Sequence, residues 1–150
     1  GGNVSTMDIA GRSLRVDEGL AVFSVNWYDL GLPAGIADAD ELRFGVHGGL
    51  VETALMLALA PATVRMALAE NFPSRRQDHA RQFEILGDGR SSRFSWATQD
   101  LNPKGAAGNA RAATAEAGQA IIDHVATRFA ALLGEVARFS LDNLVDGPSG

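Results

Sequence analysis

A histidine set among glycines and a carboxylate five positions on, His47 and Glu52, are residue types that move protons or hold cations. They belong to Gly45-Val46-His47-Gly48-Gly49-Leu50-Val51-Glu52-Thr53-Ala54-Leu55-Met56-Leu57-Ala58-Leu59-Ala60-Pro61, which reads as a glycine-rich entry to a helix apolar nearly all round and stopped near Pro61. Glu52 is the only charge in that helix. An unpaired carboxylate in the first turn of a buried helix costs several kcal/mol, so Glu52 needs a partner. Three are open to it: a metal ion, a cationic side chain, or the free amides of the helix start. His47 has two readings, a proton-moving group facing the same cavity as Glu52 or a ring bonded to loop backbone. The spacing is not the histidine pair at i and i+4 of zinc helices.

Other candidates are few. The chain has three histidines and no cysteine, which excludes thiolate nucleophiles and disulfides and leaves His, Asp and Glu to hold any metal. His79, near Arg75, Arg76 and Arg81, reads as solvated, and His124 as a residue at the packing edge of a long helix. Trp27 ends an apolar stretch and is followed by Tyr28 and Asp29. It reads as ordinary core or, at the carboxyl end of a parallel strand, as the wall of a ligand crevice. Gly105-Ala106-Ala107-Gly108 could present amides to an anion, but it lacks the Lys-Ser/Thr of a phosphate loop.

The elements that must position these residues follow from periodicity. Val4, Met7, Ile9, Ala10 and Leu14 predict a helix over residues 4–16, and the apolar, β-branched run 20–28 predicts a strand covered on both faces. Helix then buried strand points to a parallel α/β sheet. Residues 29–40 read as a loop and 94–98 as a short strand; 62–88 is mixed. From about 112 to 140, Ile122, Val125, Phe129, Leu132 and Val136 step by three and four and predict a long helix. The 150 residues suit one domain, 1–145, with 146–150 as a disordered tail. Thirteen basic against 18 acidic residues give a net charge of −5, which disfavours nucleic acid and anionic membranes as partners. No apolar run approaches the roughly 20 residues of a membrane span, and a cytoplasmic location is expected. The opening Gly1-Gly2-Asn3-Val4, without an initiator methionine, reads as the continuation of something longer.

Four segments in order resemble the creatininase family of creatinine amidohydrolase-like metal hydrolases. They are Gly1-Gly2-Asn3, similar to the end of the family's Asn-Gly-His-Gly-Gly-Asn; Val25-Asn26-Trp27-Tyr28; His47-Gly48-Gly49-Leu50-Val51-Glu52-Thr53 with its apolar helix and Pro61; and Gly105-Ala106-Ala107-Gly108-Asn109 through Ala113-Thr114-Ala115-Glu116-Ala117-Gly118. The resemblance implies an α/β three-layer sandwich with a mostly parallel sheet and a homo-oligomer. It also implies hydrolysis of a cyclic or linear amide, a small-molecule substrate, with two divalent metals, zinc or manganese. Under it the family's Glu-x-His pair and bridging Asp belong to an amino-terminal half that this chain lacks, and the motif histidine would stand immediately before Gly1. His47 resembles the histidine that moves protons to the leaving amine, and Trp27 an aromatic residue lining the substrate cavity. Gly2 stands where creatininase proper has a ligand carboxylate, so Glu52 is expected to supply that metal ligand. Ala54 and Leu50 depart from the family's frequent Ser and acidic residue, and loops 29–44 and 73–93 would form the specificity surface. The implied function is a metal-dependent amidohydrolase present as a carboxyl-terminal fragment inactive alone. The rivals are a truncated or degenerate homologue acting as a structural or interaction module and a flavodoxin-like ligand-binding domain.

Overall fold

The computed structural model describes residues 3–89, 91–92 and 94–147. Gly1 and Gly2 of the first family-like segment, Arg90 and Arg93 of the expected specificity loop, and 148–150 of the expected tail lie outside these. The chain divides into two compact units, residues 1–32 with 124–150, and residues 33–123.

In the first unit the expected helix forms as α1, Val4–Glu18, and ends where Gly19 takes the left-handed conformation at φ 68° and returns its N–H to the Leu14 carbonyl. No residue of α1 is buried. The strand expected over 20–28 is not formed. Residues 20–26 carry no regular element, and 27–30 make a 3-10 turn, Trp27–Leu30, whose Tyr28 N–H is accepted by Asn26 Oδ1. Strand composition alone is insufficient, because a ladder needs a neighbour for its N–H and C=O groups, and no described segment pairs with this one. Phe23 instead packs edge-on against Phe139 at 5.0 Å, and Arg15 Nη2 donates to the Val145 carbonyl at 2.8 Å.

The second unit runs α2 (Ala39–Phe44), α3 (Leu50–Leu59), β1 (Asn71–Phe72), α4 (Arg76–Gln82), α5 (Thr98–Leu101) and β2 (Gly108–Asn109). It enters α6, Ala115–Arg138, which continues into the first unit and realises the long helix expected from the sequence. Asp38 starts α2 by accepting the Glu41 N–H at 2.8 Å, and Thr114 starts α6 by accepting that of Ala117 at 3.1 Å. The one ladder among the described residues is antiparallel, with Asn71 opposite Asn109 and Phe72 opposite Gly108. The mostly parallel sheet is therefore not present among them; they form a mixed helical structure with a small sheet. The strand expected at 94–98 is also replaced: Asp100 Oδ2 accepts the Ala97 N–H at 2.8 Å, which starts α5 instead.

All buried residues among those described lie in the second unit. The buried apolar side chains include Leu50, Val51 and Ala54 of α3 together with Leu101, Ala107, Ala110, Ala113 and Ile121, and α3 packs on the 110–112 turn. These are largely small side chains, so backbones come close: a Cβ at Gly118 of α6 would overlap the Ala54 carbonyl. α3 forms where its apolar run and Pro61 predict, but only one side is covered; Met56 and Leu59 are exposed.

Candidate functional site

His47 sits between α2 and α3, on a turn fastened to the 105–109 loop. The N–H groups of Val46 and His47 both donate to the Ala107 carbonyl, at 2.9 and 3.2 Å, and the Ala107 N–H donates to the His47 carbonyl at 2.7 Å. The third and fourth family-like segments, in which His47 and Ala107 are 60 positions apart, thus meet in one antiparallel bridge. Gly48 follows with φ 60°, a left-handed conformation that side chains adopt reluctantly, and turns the chain into α3. The imidazole of His47 is exposed.

Glu52 Oε2 accepts the Gly48 N–H. Of the kinds of partner open to Glu52, the structure supplies a backbone amide, that of the turn entering the helix rather than of the helix start itself. The amide belongs to the residue ahead of the N-cap Gly49, so this glutamate at the third helical position closes the entering turn rather than a capping box. His47 and Glu52 are thereby brought onto one turn. Beside it lies a cleft of 370 Å³ walled by Gly48, Glu52, Met56, Val64 and Leu68, with Glu52 and Arg65 as its charged groups.

Sequence reasoning gave no role to Glu41, the most elaborately held carboxylate of this region. It is 8% exposed; Oε1 accepts the Leu50 N–H and Oε2 the Asn109 N–H, both at 2.7 Å. Gly45, Gly49 and Gly108 crowd it, and a Cβ at Gly108 would stand 2.7 Å from Oε1. No linear pattern reveals this arrangement, because Asn109 is 68 positions from Glu41.

Trp27 belongs to the first unit, half-buried and tilted against Tyr28 with ring centroids 3.9 Å apart. His124 is half-buried near Gly31, as a packing-edge residue should be. His79 is not solvated as expected: it is half-buried, 6.3 Å from the Phe83 ring and 6.2 Å from that of Phe94, on a 250 Å³ pocket shared with Arg76 and Trp96. The 105–108 loop spends amides on protein, Gly105 N–H on the Asn102 carbonyl and Ala107 N–H on His47. It does not present those two to an anion.

Among the described residues no three His, Asp or Glu side chains converge in a way that could hold a metal ion. Both oxygens of Glu41 and one of Glu52 are occupied by backbone amides. These residues do not fit a metal centre by themselves. Hydrogen bonding to Lys104, and then its charge, hold Glu70 below its ordinary value; backbone and Thr114 hydrogen bonds do the same for Glu116.

Comparison with known proteins bears on the whole chain. The family model described as Creatininase, creatinine amidohydrolase, matches residues 1–133. The crystal structure of a candidate creatinine amidohydrolase from Bacteroides fragilis NCTC 9343 is 22% identical, with a TM-score of 0.68 over 87% of this chain and 49% of that one. The chain spans about half the length of that protein. At this identity the likeness speaks for the fold. Comparison with curated proteins gives no match. No described helix is long and apolar enough to cross a membrane. With the family's model matched over residues 1–133 of 150, the chain belongs to the creatininase family.

Proposed function

We propose that this chain is the carboxyl-terminal portion of a metal-dependent amidohydrolase that opens a cyclic or linear amide C–N bond, and that it contributes the proton-moving residue. The observation that carries the reading is an exposed imidazole on a turn tied to a second loop by three backbone hydrogen bonds. Such a ring is fixed at its base and free at its tip, as a general acid–base group must be. In this reading His47 takes the proton released as water adds to the carbonyl carbon and hands it to the nitrogen that leaves. The cleft beside Glu52 and Arg65 receives part of a small substrate, and Trp27 keeps the substrate-binding role that the family resemblance implies for it. Zinc or manganese, which the family generally uses, would be held mainly by residues other than those described, completing a three-layer sandwich with a mostly parallel sheet.

The same reading includes assembly with further copies, supported by apolar side chains exposed along α1 and α3, and a cytoplasmic setting, with which a cysteine-free composition agrees. The test is an amide-hydrolysis assay on the full-length protein loaded with zinc or manganese, using creatinine and a panel of other cyclic and linear amides. Turnover of at least one amide is expected. A folded, metal-loaded protein that hydrolyses none of them contradicts the reading and favours an interaction module.

A further inference from the structure

We propose that Glu41 is the positioning residue of this site: its buried carboxylate, acting on backbone amides rather than on substrate, fixes the turn that presents His47. The inference rests on the role given to His47 above. The geometry brackets the bridge that holds that histidine. From the bridge at His47 the chain turns through Gly48 and Gly49 to Leu50 at the start of α3, and from Ala107 it continues into β2 at Asn109; Glu41 accepts the N–H of Leu50 and of Asn109 at 2.7 Å each. A single side chain on α2 therefore ties both segments just beyond the bridge, and the Gly45 N–H, returned to the Glu41 carbonyl at 2.8 Å, ties down the start of the turn.

The surroundings are shaped for that carboxylate. Gly45, Gly49 and Gly108 converge on it without side chains, and any Cβ there would strike it or its own backbone. A carboxyl group so far out of water is costly to keep unless its oxygens are hydrogen-bonded, and both are. An apolar side chain would fill the volume but would leave two buried amides without acceptors and would not fix their direction. Both oxygens are occupied and the residue is buried, so Glu41 transfers no proton itself.

The test uses the full-length protein and two readouts. Glu41→Gln keeps the volume but sets an NH₂ group against one of the two N–H donors. Amide hydrogen exchange is expected to quicken at Leu50 and Asn109 and, with them, at His47 and Ala107. With an amide that the wild type hydrolyses, kcat should fall about 10-fold or more, since small displacements of a catalytic group are costly, while KM changes little. In the His47→Ala background Glu41→Gln should add no further loss, because both changes act through the same imidazole. Equal losses in both backgrounds, or unchanged exchange at His47 and Ala107, overturn the proposal.

A second variant serves in case Glu41→Gln does not fold. Leu50→Pro removes one donor at the first helical position, where proline is accepted, behind a Gly49 already extended at φ −85° and ψ −155°. It should quicken exchange at Ala107 in the same direction, and unchanged exchange there likewise overturns the proposal. A wild type inactive on every amide defeats the functional reading alone, and the exchange measurements still decide the role of Glu41.

Discussion

At the scale of the residue, the site combines two carboxylates that serve backbone with one imidazole left exposed. His47 and Glu52 were legible in sequence because both lie on one turn, where spacing translates directly into proximity. Glu41 was not, because its partners come together only when α2, α3 and β2 meet, and the three glycines around it look like ordinary loop residues until then. Which partner Glu52 takes was also beyond the sequence. Its bond to the Gly48 N–H predicts that Glu52→Ala loses about 1 kcal/mol in denaturant unfolding, while Glu52→Gln, which keeps an acceptor oxygen, loses less. Elemental analysis of the full-length Glu52→Gln protein separates the remaining alternative: metal content should be unchanged for a turn-closing residue, and its loss assigns Glu52 as a ligand.

At the scale of the element, the long helices were legible, and the short helices and the strands were not. α1, α3 and α6 carry their own hydrogen bonds and a periodic apolar pattern, so a local reading finds them. Residues 20–28 have a strand's composition, but the ladder depends on a neighbour that composition cannot supply. The contact of α6 with α3 depends on Gly118, whose absent side chain admits the Ala54 carbonyl. Gly118→Ala should destabilise the protein by about 3 kcal/mol or more, as overpacking of backbone against backbone does, with a lowered thermal midpoint as the measure. Beside β1, the Lys104 ammonium donates to Glu70 at 2.8 and 2.6 Å and depresses its carboxyl below the ordinary value. A carboxyl depressed on folding stabilises above its unfolded pKa and ceases to do so as pH falls through the folded one. The pair is exposed, so the effect is small, and its sign is the prediction. Lys104→Met should melt slightly below wild type near neutrality and equal to it in strongly acidic buffer. A difference that grows on acidification contradicts the assignment.

At the scale of the whole molecule, the chain leaves many large apolar side chains exposed. α1 buries none of its residues, and Ile9 and Val16 are 67% and 79% exposed. Surfaces of this kind are covered by other protein in working molecules. The 150-residue chain alone is expected to associate with rising concentration in light scattering, and a monodisperse monomer with a sharp melt contradicts this. The central claim is that this chain supplies the proton-moving histidine of an amidohydrolase. The most direct measurement is turnover and thermal midpoint of His47→Ala in the full-length, metal-loaded protein, on an amide that the wild type hydrolyses. The account predicts turnover lower by about 100-fold or more at an unchanged midpoint and metal content. Undiminished turnover, or a loss that only follows the folded fraction, contradicts it.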